Sequence, residues 1–238
     1  MKIAIMCGGR GKRLGRLTEM VPKPLVELNG QTILERKIEA FVQQGFCEFI
    51  FCTGYKGDLI EKAVHRFHSK ADLQFSSQGS DVGILARLHA AQDLYEEQVM
   101  LTYGDTYTDL DLTDLIEQHQ QTAHEATIVT APVESPFGLV EFDQTKKALL
   151  FEEKPTLNYY IGQAVVNKSS FACVSPEVLQ MPDGQGLVTY FKTLIEQEQL
   201  GVYHHAGLDI TFNTQEELTA AEQKLLRFYT AAEEHHEE

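Results

Sequence analysis

A short apolar run that stops at a turn, followed by a stretch with a helical stripe, recurs along residues 1–131. That rhythm leaves few folds open. Lys2–Cys7 (KIAIMC) is apolar and ends at Gly8-Gly9, as a strand buried on both faces does. Gln31–Gln44 carries Ile33, Leu34, Ile38, Phe41 and Val42 at helical spacing and is stopped by Gly45. Glu48–Thr53 (EFIFCT) is the next strand, and Asp58 caps a helix with Leu59, Ile60, Ala63, Val64 and Phe67. Leu73–Phe75 is a short strand. Ile84–Tyr95 is a helix with Leu85, Leu88, Ala91 and Leu94 inward. Gln98–Thr102 is a strand that ends at Gly104-Asp105; Thr113–Ala123 is a helix and Ala126–Ala131 a strand. The pattern predicts an α/β fold: a doubly wound, Rossmann-like, mostly parallel sheet. Ligands of such sheets bind at the carboxyl ends of the strands, where Gly8-Gly9 and Gly104-Asp105 both fall.

The texture changes after Pro132. Phe137–Phe142, Ala148–Glu152 and Gly162–Val166 read as strands with few helices between them. They predict a mixed-strand substrate lobe laid over the edge of the sheet. Leu187–Gln199 is a helix, Gly201–His205 a strand and Gln215–Tyr229 a closing helix. No repeat or linker interrupts the chain. One domain over 1–238 is expected, with a nucleotide-binding half at 1–131, a lobe and closing helix at 132–232, and a frayed, solvated tail at 233–238.

The formal net charge is −15, so no basic face offers itself to a nucleic acid. Yet residues 7–17 (CGGRGKRLGRL) gather four glycines and four cations. One local cationic pocket suffices for phosphates. Four glycines also cost backbone entropy that a plain solvated loop would avoid. Cys7, Cys47, Cys52 and Cys173 have no metal-ligand spacing and read as buried free thiols. His65/His68, His204/His205 and His235/His236 lack partner sets and read as surface residues. No apolar run approaches the roughly 18 residues of a membrane span, and no signal peptide is evident, so a cytoplasmic protein is expected.

Two phosphate motifs fail on this loop. Gly9-x-Gly11 starts a dinucleotide fingerprint, but Leu14 stands at its third glycine. Gly11-Lys12 resembles the end of a P-loop, but Arg13 replaces its Ser/Thr and Met6 its first glycine. The underlying chemistry remains: glycines let N–H groups crowd an anion, and cations add charge-assisted bonds.

The stretch GGRGKRLGRLTEMVPKPLVEL (Gly8–Leu28) resembles the signature of the sugar-phosphate nucleotidyltransferases. GYKGDLI (Gly54–Ile60), LTYGDTYTDLDL (Leu101–Leu112), FEEKP (Phe151–Pro155) and YIGQAVV (Tyr160–Val166) extend the likeness over nearly the whole chain. Within that family the look is nearest to the glucose-1-phosphate cytidylyltransferases.

The resemblance implies an Mg²⁺-dependent enzyme that joins an NTP, with CTP favoured, to a sugar 1-phosphate and releases pyrophosphate. Gly8, Gly9, Gly11, Lys12, Arg13, Gly83 and Gly104 would bind the nucleotide. Arg13 would hold the departing pyrophosphate, Lys23 would reach the reacting phosphates and Asp105 would ligate Mg²⁺. Lys154 would hold the sugar phosphate, with Gly138, Glu153 and Gly162 around the sugar. The second metal ligand is open between Asn213, which falls on the family's aspartate, and Asp209, four residues earlier; Asp209 is preferred because it brings charge. Related enzymes often form dimers or tetramers, so a homo-oligomer is expected, although no interface patch stands out.

Three departures leave the substrate less defined than the reaction. Lys12 and Arg16 add charge beside the phosphate loop. GSDVGILARL (Gly79–Leu88) replaces the Thr-Gly-Gly-Arg element of the cytidylyltransferases: Gly83 remains, but Ile84 and Leu85 stand for its second glycine and its arginine. GLVTYF (Gly186–Phe191) replaces an acidic-aromatic stretch. Alternatives are therefore a guanylyl- or other nucleotidyltransferase acting on mannose or heptose 1-phosphate or on a non-sugar phosphate, and a degenerate nucleotide-binding homologue.

Overall fold

The computed structural model describes residues 1–67 and 71–234. β1 (Lys2–Cys7) leads into the glycine loop, a 3-10 turn (Lys12–Leu14) and the short helix α1 (Arg16–Met20). A second 3-10 turn (Lys23–Leu25) precedes the small hairpin β2 (Glu27–Leu28) and β3 (Gln31–Thr32). The α/β run continues through α2 (Ile33–Gln43), β4 (Glu48–Thr53), α3 (Gly57–Phe67), β5 (Asp72–Ser77) and α4 (Ile84–Ala90). It closes with β6 (Gln98–Tyr103), β7 (Thr106–Thr108), α5 (Leu112–Gln121) and β8 (Ala126–Glu134). Then come β9 (Leu139–Phe142), β10 (Ala148–Glu152), β11 (Thr156–Asn167), α6 (Pro176–Leu179) and α7 (Gln185–Glu196). The chain finishes with β12 (Leu200–His204), β13 (Asp209–Thr211) and α8 (Gln215–Glu234).

Seven strands form one sheet in the order β12-β8-β11-β6-β1-β4-β5. β1 pairs parallel with β4 and β6, β4 with β5, and β12 with β8. Only β11 runs antiparallel to its neighbours, β6 and β8. The sheet is thus the expected mostly parallel one. Alternation in β1 sends Ile3, Ile5 and Cys7 to a core beneath α2, α3 and α5, and Ala4 and Met6 to a second core beneath α4 and α7. β4 divides the same way, with Phe49 and Phe51 opposite Ile50 and Cys52. A third cluster joins Leu28, Tyr107, Ile210 and Phe212 to Leu218 and Leu225 of α8.

The expected edge lobe is corrected in one respect. The strand expected at 162–166 belongs to β11, which is inserted in the middle of the large sheet, between β6 and β8. Its Ala164, Val165 and Val166 are fully buried, which an edge position would not require. Only the β9–β10 hairpin stands apart as a sheet of its own. It leaves Phe142, Leu149 and Phe151 more than half exposed, an apolar patch that the sequence pattern did not announce.

Two smaller expectations also change. Cys47 is exposed and Cys173 half-buried, while Cys7 and Cys52 are buried; all four are free. His205 is buried rather than on the surface, with Nε2 3.1 Å from the carbonyl of Leu208 and 3.1 Å from Asp109. His65 and His204 are exposed. Of the expected tail, Glu233 and Glu234 lie in α8; residues 235–238, with His235 and His236, lie outside the described residues, as does His68. No helix among the described residues is long and apolar enough to cross a membrane.

Candidate functional site

The glycine loop leaves β1 at the carboxyl end of the sheet. Gly8 is buried and Gly9 exposed. Gly11 has φ +60°, a left-handed conformation that costs a side-chain-bearing residue energy. Thr18 closes the loop from within: its Oγ1 donates to the carbonyls of Gly11 and Gly15, each at 3.1 Å. The loop rests on the segment after β4. The Tyr55 amide donates to the Gly8 carbonyl (3.1 Å), and the Tyr55 hydroxyl donates to the Thr18 carbonyl (3.2 Å). Lys12 and Arg13 sit exposed in the 3-10 turn.

Beside this loop, Pro24 of the PKP segment lies so close to Gly104 that a Cβ there would meet Pro24 at 3.1 Å and the Cys7 sulfur at 2.7 Å. Gly104 therefore serves close packing, and the packing delivers Lys23 to Asp105. Lys23 Nζ is 2.6 Å from Asp105 Oδ2 and donates to Asn213 Oδ1 at 3.3 Å. Lys23 is 6% exposed, so its ammonium draws both oxygens to one shielded point.

Asn213 arrives there by a separate route. β13 pairs antiparallel with β7, Ile210 opposite Tyr107 and Thr211 opposite Thr106, and the chain then passes Phe212 to Asn213. Glu217 accepts from the Asn213 amide (2.6 Å) while Thr214 accepts from the Glu217 amide (3.1 Å), which caps α8. Asp209 is placed differently. It lies opposite Thr108, its Oδ1 is buried without a hydrogen-bond partner, and burial raises its pKa. Asn213 thus meets Lys23 beside Asp105, while Asp209 makes no hydrogen bond or ion pair with Lys23 among the described residues and its charge acts on Lys37.

The turn that carries Asp105 is held from below by a lysine that sequence reasoning missed. Lys37 of α2 is 2% exposed. Its Nζ donates to Thr102 Oγ1 (2.6 Å), the Tyr103 carbonyl (2.6 Å) and Thr106 Oγ1 (3.2 Å), on both sides of Gly104-Asp105. Burial lowers its pKa to about 7, against the pull of Asp105, Cys7 and Asp209. Its spacing puts it on the same face of α2 as Ile33, Leu34, Ile38 and Phe41, so a charge within the apolar stripe is the signal that could have found it.

The remaining expected residues divide. Gly162 has φ +78° and its Cα faces the Tyr103 ring; a Cβ would sit 2.5 Å from that ring. The β11 register shifts between Tyr160 and Ala164, so Gly162 is the bend that seats Tyr103. Gly83 packs against the chain itself: a Cβ there would lie 2.5 Å from the Met181 carbonyl. Gly138 faces Glu153, with 3.3 Å from a built Cβ to Glu153 Oε2, and both are exposed, as is Lys154. A cavity of about 570 Å³ opens elsewhere, at the amino ends of the strands, lined by Lys2, Glu48, Glu97 and Gln98 among others. It has none of the phosphate-binding groups, and we assign the site to the carboxyl ends.

Oxygen donors of Asp105 and Asn213 already converge on a cation, the donor chemistry that Mg²⁺ takes. A glycine loop with cations, a lysine and a carboxylate gathered at the carboxyl edge of a parallel sheet defines an enzyme that works on phosphates. The chain belongs to the nucleotidyl transferase family, whose model matches residues 2–175.

Relatives agree at the level of the reaction. A glucose-1-phosphate cytidylyltransferase of Salmonella typhi is 27% identical over 234 residues, which span 87% of this chain and 89% of that protein. A mannose-1-phosphate guanylyltransferase catalytic subunit beta of Danio rerio is 32% identical over 163 residues, 65% of this chain and 45% of that one. Among solved structures, HddC from Yersinia pseudotuberculosis complexed with GMP-PN superposes with a TM-score of 0.70 at 20% identity, covering 94% of this chain and 99% of that one.

Proposed function

We propose that this protein transfers a nucleotidyl group from an NTP, with CTP favoured, to a sugar 1-phosphate. A phosphate oxygen of the sugar 1-phosphate attacks the α-phosphorus, a new P–O–P linkage forms, the bond to the β-phosphate breaks and pyrophosphate departs. The observation that carries this reading is the meeting of Lys23 with Asp105 and Asn213 beside the glycine loop. The reaction needs positioned charge and no protein nucleophile.

Backbone N–H groups of Gly8, Gly9 and Gly11 receive the nucleotide's phosphates. Arg13, exposed at the loop, meets the departing pyrophosphate with a charge-assisted fork. Lys23 turns from its two oxygens toward the reacting phosphates. Asp105 and Asn213 are the residues that would hold Mg²⁺, which supplies charge neutralisation on the polyphosphate. Lys154, beside Glu153 and Gly138, receives the sugar phosphate. The match to a cytidylyltransferase over 87% of this chain supports CTP. A guanylyltransferase is the second reading, favoured by the 32% identity to the Danio rerio protein and by the changed segment Gly79–Leu88.

Pyrophosphate release, measured over four NTPs and a panel of sugar 1-phosphates, tests the proposal. Release is expected with one pair above the others, and Arg13→Ala and Asp105→Ala should each lower it about 100-fold or more. Near-normal rates in either variant would remove that residue's role. Nucleotide binding with no release from any pair would leave the degenerate homologue as the reading.

A further inference from the structure

Arg87 of α4 is 3% exposed and belongs to none of the roles above. Its guanidinium gives three donors to backbone carbonyls: Nε to Val82 (3.1 Å), Nη1 to Thr53 (2.5 Å) and Nη2 to Gly79 (2.5 Å). Thr53 ends β4, while Gly79 and Val82 belong to the loop that leads into α4. The glycine loop forms the third wall. A Cβ on Gly8 would lie 2.3 Å from the guanidinium carbon, and one on Gly54 would lie 2.7 Å from both terminal nitrogens. The planar group therefore fits between two bare Cα atoms, and only glycines leave that space.

A second arginine holds the same loop from outside. Arg10, in the glycine loop, donates to Ser80 Oγ (2.8 Å), approaches Asp81 Oδ1 (3.5 Å) and lies 5.5 Å over the Tyr55 ring. Loop Gly79–Gly83 is thus tied to the phosphate loop by one exposed and one buried arginine. The buried one keeps its charge because a guanidinium does not give up its proton in a protein, although burial lowers its pKa. Among the described residues no carboxylate lies within ion-pair reach of it. Three carbonyl dipoles offset part of the cost of burying that charge. A polyanion bound over Gly8 would offset more.

We propose that Arg87 is a positioning residue for the nucleotide. It fixes loop Gly79–Gly83 and the end of β4 against Gly8, and its unpaired charge is complemented by the polyphosphate. Nucleotide affinity depends on it, and the chemical step much less. This rests on the nucleotide site proposed above.

Steady-state kinetics of Arg87→Met and Arg87→Lys, with CTP and GTP each varied, test it. Arg87→Met should raise KM for the NTP about tenfold or more, leave kcat within about threefold and leave KM for the sugar phosphate unchanged. Arg87→Lys, which keeps the charge but loses the fork, should fall between. Gly54→Ala, from outside the phosphate loop, presses on the Gly79 carbonyl (2.4 Å from its Cβ) and on the guanidinium that this carbonyl binds (2.7 Å); it should reproduce the NTP defect, which keeps the test alive if Arg87→Met does not fold. An unchanged KM for the NTP, or an equal rise in both KM values, overturns the proposal. If the wild type releases no pyrophosphate with any pair, the reaction assignment fails instead. Arg87 is then judged by calorimetric NTP binding: a tenfold loss in the variants sustains it and equal binding overturns it.

Discussion

Gly162→Ala is the sharpest test of how the sheet supports the site. Two costs combine at this position. The backbone φ of +78° lies in the left-handed region, which costs an alanine about 1–2 kcal/mol. The new Cβ would also lie 2.5 Å from Tyr103 Cδ2 and 2.7 Å from Cγ. The ring has little room to yield, because it packs edge-on against Tyr160 at 5.9 Å and Tyr160 packs in turn against Phe191 at 5.5 Å. Overpacking of this kind costs about 1–3 kcal/mol. The lower entropy of the unfolded alanine chain returns about 0.4–1 kcal/mol. The net loss is about 3 kcal/mol, or about 6–12 °C in Tm for a chain of this size. Gly45→Ala is the control, since Gly45 has φ +88° but open space around its Cα. It should lose about 1 kcal/mol, through backbone strain alone. Thermal unfolding of the wild type and both variants by circular dichroism decides. Equal losses would refute the claim that contact with Tyr103 is what requires glycine. Because Tyr103 directly precedes Gly104-Asp105, activity of Gly162→Ala well below its Tm should fall as well.

Lys37 makes stability depend on pH. Its folded pKa is about 7 against 10.5 when unfolded, so between those values the unfolded chain holds more protons and stability rises with pH. Below pH 7 both states are protonated and the burial penalty is complete. Lys37→Met should therefore gain on the wild type by a few kcal/mol more at pH 6 than at pH 9.5, read by urea unfolding; a pH-independent difference would mean that the ammonium is not strained by burial. Asn213→Ala should raise the Mg²⁺ concentration for half-maximal rate about tenfold and Asn213→Asp should lower it, whereas Asp209→Ala should leave it unchanged. The reverse pattern in that titration would return the second ligand to Asp209. Lys23→Met removes the ammonium that holds Asp105 and Asn213 together. It should cut kcat about 100-fold or more while unfolding at a temperature near that of the wild type, and a purely lowered Tm would assign Lys23 to structure alone.

The strands and helices of the first half were legible because parallel strands buried on both faces leave continuous apolar runs, as KIAIMC and EFIFCT do. The glycine loop and Asp105 were legible for a similar reason: each follows such a run within a few residues, and the carboxyl edge of a parallel sheet is where ligands bind. Other features needed the folded chain. β11 reads locally as one more strand, and only long-range pairing with β6 and β8 puts it at the centre rather than in an edge lobe. Asp209 ranked above Asn213 on charge, a property of the residue alone; that Asn213 meets Lys23 is a property of the register of β13 with β7 and the turn after it. Arg87 stands two places from the position at which an arginine was sought, and Lys37 interrupts an apolar stripe without disturbing it. Both act through hydrogen bonds to carbonyls and hydroxyls far away in sequence, and such partners leave no periodic trace. Local order and the chemistry of the loop follow from neighbouring residues. The partners of each buried charge follow from packing, which alone decides what lies within 3 Å of an ammonium or a guanidinium.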